Sequence, residues 1–330
     1  MSNLEERIKS ILDVFWDNLE TLDITKYRRI YLDIKNNPHK GVPELREFFE
    51  NPKGIRKNIG NILLINKLFE HLDAWENFYD EYGNYYHATI KLVERMGINL
   101  KIKGLENLDK INKNESVLYV FPHNHELEGL VALAAIGSYM HNELNKDPKM
   151  ILNYLFSEIK NLDTVAFFIK NKSHKGNNRE YNKKVFSDIN DYLDNYGHVI
   201  HFLTETNPYW FFGMREGRLH KSFAKFAEHA DKIVPVYVKF SRNSPIAHVK
   251  VVRNLFRLKD IFNKDGPCIL YIGNPIDANS LIRYKDVKEM SKKKRDEYMI
   301  IIAEWMRHEC NELQKKEYTD SVYSLDLLPK

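Results

Sequence analysis

No apolar run in this chain approaches the roughly 18 to 20 residues that a membrane-spanning helix requires. The longest candidate, Leu130 to Ile136, gives way to Gly137 and Ser138, so the chain is expected not to cross a bilayer. The opening Met1-Ser2-Asn3-Leu4-Glu5-Glu6-Arg7 is acidic and lacks the basic-then-apolar order of a secretory signal. Cysteine is scarce: Cys268 and Cys310 are the only two, which excludes a disulfide framework and leaves no zinc-ligand spacing. No internal repeat, no low-complexity stretch and no Gly-x-Ser-x-Gly nucleophile turn is present. These absences give the expectation of a reduced, intracellular, cytoplasmic protein without a bound metal.

What is present is ordinary globular composition. The 330 residues are 43% hydrophobic and 29% charged, enough to bury a large core and to form two domains. The net charge of +4 is unevenly divided: residues 1–97 hold 14 Lys and Arg against 16 Asp and Glu, leaving 36 against 30 for the remainder. The basic surplus collects in Lys170-Asn171-Lys172-Ser173-His174-Lys175, in Arg215 to Lys221 and in Lys292-Lys293-Lys294-Arg295. Such clusters suit an anionic substrate or peripheral contact with an anionic membrane surface, and each taken singly also reads as a solvated face. No nucleic-acid partner is expected.

The first 97 residues read as helices only. Leu4, Ile8, Ile11, Phe15, Leu19 and Leu22 recur at helical spacing. Trp75, Phe78, Tyr82, Tyr85, Thr89, Leu92 and Met96 continue a helical period to Gly97, where a helix-terminating glycine is expected. That aromatic stripe reads as core packing or as a lipid groove. From Asn99 the pattern changes to short β-type runs alternating with helices. Strands are expected at Leu100 to Ile102, Val117 to Phe121, Thr164 to Ile169, Val199 to Leu203, Ile233 to Phe240, His248 to Val252 and Ile269 to Ile272. Helices are expected at 126–141, 179–196, 219–231 and about 291–316. The fold class is therefore α/β, a mixed sheet flanked by helices, in residues 98–330, preceded by an all-helical N-terminal domain in residues 1–97.

Within this pattern one turn is laid out for chemistry. The apolar run Val117 to Phe121 stops at Pro122 and His123, and a helix follows. His123 then stands at the carboxyl end of a strand, where open α/β sheets carry their sites. A carboxylate in the first helical turn can fold back on the imidazole, hold one nitrogen protonated and leave the other to accept a proton. Glu128 is the expected partner, with Glu126 as the alternative.

Four blocks occur in a fixed order: His123-x4-Glu128, then Val165-Ala166-Phe167-Phe168-Ile169-Lys170, then Phe202-Leu203-Thr204-Glu205-Thr206, then Ile233-Val234-Pro235-Val236. In this order the chain resembles the glycerol-phosphate and lysophospholipid acyltransferase family. Its blocks are a His-x4-Asp turn, a strand ending in a basic residue, a Phe-Pro-Glu-Gly-type turn and a Val-Pro-Val strand. Lys101 to Leu108 and Tyr271 to Asp277 resemble further family segments, so the resemblance covers roughly residues 99–317. The helical segment ahead of the blocks is most similar to the soluble plastid-type glycerol-3-phosphate acyltransferases. Two departures stand out: Glu128 occupies the aspartate position, and the Gly-Thr-Arg that follows the third-block acid is missing after Glu205.

The resemblance implies transfer of a fatty acyl group from an acyl thioester, on coenzyme A or acyl carrier protein, to a hydroxyl of glycerol 3-phosphate or a related lipid precursor. No cofactor beyond that co-substrate is implied. His123 would be the general base and Glu128 its orienting acid. Lys170, Lys172, His174, Lys175 and Glu205 would line the substrate site, with Arg215 or Arg218 in place of the missing arginine. Two other readings remain open. His123-x-His125 at a strand end also suits a metal-dependent hydrolase, although later strand ends offer Lys170, Glu205 and Ser241, a poor ligand set. The altered third block suits a catalytically silent lipid-binding module on the same fold.

Overall fold

The structure, a computed structural model, describes residues 71–123, 127–157, 159–170, 177–204, 219–220, 222–240, 268–281, 289–316, 318 and 323–324. The expected strand at His248 to Val252 and the helices expected before residue 71 lie outside the described residues.

Helix α1 (71–82) and helix α2 (Tyr85–Arg95) are separate, where the aromatic period predicted one continuous helix. The break has a local cause. Gly83 adopts φ +73°, and the Asn84 side chain accepts the His87 N–H at 2.9 Å, capping a new helix. The far end of α2 closes as its glycine predicts. Gly97 takes φ +71°, its N–H reaches Glu94 O at 2.9 Å and the Ile98 N–H reaches Val93 O at 3.2 Å, the paired bonds of a Schellman motif.

The strands that follow are β1 (Leu100–Lys103), β2 (Val117–Phe121), β3 (Lys149–Asn153), β4 (Ala166–Ile169), β5 (His198–Phe202), β6 (Lys232–Lys239), β7 (Cys268–Ile272), β8 (Ile276–Asp277) and β9 (Tyr323–Ser324). They form one sheet in the order β4-β3-β5-β2-β6-β7-β1-β9, with β8 paired to β6. Strands β2 to β6 are mutually parallel, whereas β6 meets β7 antiparallel and β1 meets β9 antiparallel. The sheet is therefore mixed, as its α/β pattern predicted. Six predicted strands, β1, β2, β4, β5, β6 and β7, are present among the described residues, and β3, β8 and β9 were not foreseen.

Strand β2 lies between β5 and β6 and is buried throughout, which fits its unbroken Val-Leu-Tyr-Val-Phe run. Its side chains alternate between two cores. Val117, Tyr119 and Phe121 pack with Trp75, Tyr85, Leu133 and Ile136, so α1 and α2 share a core with the sheet and with the helical stretch after β2. That stretch comprises α3 (Glu128–Ala132), a π-helical turn at Leu133–Gly137 and α4 (Ser138–Leu144). Leu118 and Val120 face the opposite layer, formed by α5 (Asn178–Asp194), α6 (Ser222–Ala227) and α8 (Lys292–Glu312), the short α7 (Ala278–Leu281) standing just before α8. Among the described residues no helix is long and apolar enough to cross a membrane.

Candidate active site

Strands β2, β3, β4 and β5 all run the same way, so their carboxyl ends emerge at one edge of the sheet. His123 stands two residues beyond β2 at that edge, and Glu128 opens α3. The five-residue separation closes a contact: His123 Nδ1 lies 3.3 Å from Glu128 Oε2, with the imidazole 15% exposed and the carboxylate only 1% exposed. A carboxylate so buried holds its charge most easily against a ring that donates to it or becomes cationic beside it. With the Nδ1 proton turned to Glu128, Nε2 is the nitrogen that can take a proton. The spacing is long for a charge-assisted bond, and dyads of this kind tighten when substrate binds.

Three further residues hold this pair, and none was foreseen in these roles. The Thr204 hydroxyl, two residues past β5 and buried, accepts the His123 backbone N–H at 2.8 Å, tying the histidine turn to the neighbouring strand end. The Phe202 ring lies under the imidazole, with centroids 4.0 Å apart and planes tilted by 32°. Phe121 in turn packs edge-on against Phe202, with centroids 4.5 Å apart. Gly129, directly after Glu128, lets the first turn of α3 sit on the sheet. A Cβ there would stand 2.6 Å from Met150 Sδ and 3.1 Å from Phe202 Cζ. Sequence offered two partial signals, a glycine in the first helical turn and a threonine at a strand end, but neither shows what it touches.

Of the remaining predicted residues, Lys170 follows β4 at the same edge and is half-buried. Glu126, Lys172, His174, Lys175, Glu205, Arg215 and Arg218 lie outside the described residues. His125 lies outside them too, and among the described residues no three of His, Cys, Asp and Glu are grouped to hold a metal ion.

Neither cysteine is suited to nucleophilic work. Cys268 at the start of β7 is buried, and burial, with the Glu128 charge adding to it, pushes its thiol well above the ordinary range. Burial likewise pushes the Cys310 thiol up, to about 12. Both stay protonated near neutral pH.

No protein-family model matches the chain, and no curated protein matches it. Among solved structures, the chain is similar to the crystal structure of a 1-acyl-sn-glycerophosphate (LPA) acyltransferase, PlsC, from Thermotoga maritima. The similarity spans 94% of this chain and 99% of that one, at 12% identity and a TM-score of 0.38.

Proposed function

We propose that this protein is an O-acyltransferase that moves a fatty acyl group from an acyl thioester to a hydroxyl of glycerol 3-phosphate or a related lipid precursor. The observation that carries the reading is the His123–Glu128 contact at the carboxyl edge of the central parallel strand, stacked on Phe202. A thioester is already activated, so the missing element is a competent nucleophile. The acceptor alcohol attacks the thioester carbonyl as His123 Nε2 takes its proton. Glu128 orients the ring and stabilises the imidazolium as it forms. The proton then passes to the departing thiolate. Such a direct transfer requires no serine or cysteine nucleophile, which agrees with the two buried, protonated thiols.

Lys170 is the described cation at this edge that would meet the acceptor's phosphate. Coenzyme A or acyl carrier protein would carry the donor. The basic clusters would favour work at an anionic membrane surface from the cytoplasmic side, where the lipid product partitions.

The test is incubation of purified protein with mixed acyl thioesters and a panel of alcohols, glycerol 3-phosphate and lysophospholipids among them, with products identified by mass spectrometry. An acylated hydroxyl formed by wild type and not by His123→Ala is the expected result. Free fatty acid as the sole product, or loss of turnover with a chelator and its return with zinc or manganese, overturns it.

A further inference from the structure

Lys170 lies one residue beyond β4, where the ladder to β3 has ended at the Asn153–Ile169 pair. Its backbone is nevertheless held on both polar groups by a single side chain from α5. Asn182 Oδ1 accepts the Lys170 N–H at 2.8 Å, and Asn182 Nδ2 donates to the Lys170 carbonyl at 2.7 Å. An amide side chain thus does for Lys170 what a neighbouring strand would do.

The side chain is fixed as well. The Lys170 ammonium lies 4.3 Å from the ring centroid of Tyr154, which follows β3, and 4.3 Å from that of Tyr181, the neighbour of Asn182 on α5. The two rings meet edge-to-face with centroids 5.4 Å apart. Both distances are within cation–π range. Among the described residues no carboxylate lies within ion-pair distance of this ammonium. A lysine that merely solubilised the edge would leave its flexible stem free. Here backbone and head group are both held, and among the described residues the charge at the edge that holds His123 meets aromatic rings rather than a carboxylate.

The lateral geometry fits a shared ligand. Strands β4 and β2 are separated by β3 and β5, three strand spacings or roughly 14 Å at the backbone. The ammonium itself is shared between Tyr154, which follows β3, and Tyr181 on α5, at 4.3 Å from each ring.

We propose that Asn182, Tyr154 and Tyr181 are positioning residues that hold the Lys170 ammonium at the carboxyl edge as the anchor for an acceptor's anionic group. The proposal rests on the acyl-transfer reading for the identity of that ligand, and its test needs no turnover. With lysines reductively dimethylated with carbon-13, the Lys170 methyl resonance, assigned by its loss in Lys170→Arg, should stand displaced upfield by the two rings. Titration with glycerol 3-phosphate should move it. In Asn182→Leu the resonance should return toward the other lysines and the Kd for glycerol 3-phosphate should rise by about tenfold.

In a Lys170→Met background, where calorimetry replaces the lost resonance, adding Asn182→Leu should weaken binding no further, a coupling that a merely structural asparagine would not show. Should Asn182→Leu not fold, Asn182→Asp, which keeps the acceptor for the Lys170 N–H, serves the same comparison with a smaller expected shift. A Lys170 resonance unmoved by glycerol 3-phosphate, or an equal loss of affinity in both backgrounds, overturns the proposal. Binding that follows it, without acylated product from any thioester, would sink the acyl-transfer reading and leave the anchor standing.

Discussion

The same pair of neighbouring strands carries a histidine at each end, and the two are opposites. At the carboxyl edge His123 is partly exposed and faces a buried carboxylate. At the amino edge His198, the first residue of β5, is buried beside Tyr119, whose hydroxyl lies 3.1 Å from its Nδ1. Burial pulls His198 down to about 3, the positive charge of Lys146 adding to the effect and a bond at the Glu115 backbone opposing it. His201, in the same strand, is held well below its ordinary value by burial and by the proximity of His220. A histidine near a strand end is thus not by itself a base. His123 has a carboxylate beside it and some access to solvent, whereas burial keeps His198 and His201 neutral.

The contrast is broken most directly by exchanging the two losses. His123→Ala should reduce acyl transfer by about a hundred- to ten-thousandfold while its thermal melt stays close to wild type. His198→Ala should do the reverse. It leaves a cavity and strips a buried tyrosine hydroxyl of its partner, at a cost of about 2 to 4 kcal/mol, with turnover per folded molecule retained. Paired melts and initial rates decide the matter, and a His198→Ala protein that melts normally but does not turn over would erase the distinction.

Glu128→Gln sharpens the comparison from the partner's side. It keeps shape and removes the charge that stabilises the imidazolium, so a rate loss of about a hundredfold is expected. Glu126→Gln should cost far less, and the reverse ranking would move the dyad to Glu126.

The amino edge should announce itself in pH. Because the folded value of His198 is about 3 and its ordinary value 6.5, the unfolded chain binds a proton below about pH 6.5 that the folded chain refuses. Stability should therefore fall as pH drops from about 6.5 toward 3, by up to about 1.4 kcal/mol per pH unit for this group. His201 is displaced in the same direction and adds to the slope. Urea midpoints of wild type and His198→Gln along this range provide the check. The variant should be less stable near neutrality yet show a shallower acid limb, and parallel curves would mean that His198 does not drive it.

The two edges also differ in how readable they were. The Val117 to Phe121 run followed by Pro122 announces a buried strand and its end, and an acid five residues after His123 is a local spacing, so strand, histidine and partner were all legible. Strand β3 was not. Lys149-Met150-Ile151-Leu152-Asn153 is short, follows Pro148 and has few of the β-branched or aromatic residues that separate a strand from a buried helical turn. The single aromatic period through Trp75 to Met96 hid the break at Gly83 and Asn84. Thr204 and Asn182 escaped for another reason. Each acts through a side-chain bond to a backbone group that lies 81 and 12 residues away, respectively, and such a pairing exists only once the strands are assembled. The buried neutrality of His198 and His201 is likewise a property of packing.

Gly129 offers the smallest and most local perturbation of the carboxyl edge. The added methyl of Gly129→Ala would meet Met150 Sδ at 2.6 Å and Phe202 Cζ at 3.1 Å, and because Met150 is buried its thioether has to shift within the core. Overpacking of this kind costs about 1 to 3 kcal/mol. The strain also has a direction. Lifting the first turn of α3 draws Glu128 from His123, and displacing Phe202 tilts the surface under the imidazole. A rate loss of about tenfold should therefore accompany the lowered melt. Met150→Val shortens the obstructing side chain, and because the two positions touch, their effects should not add. The double variant should recover part of both rate and stability relative to Gly129→Ala alone. Recovery of the melt without the rate would confine Gly129 to packing, and wild-type behaviour in the single variant would show that close seating of α3 does not hold Glu128 in place.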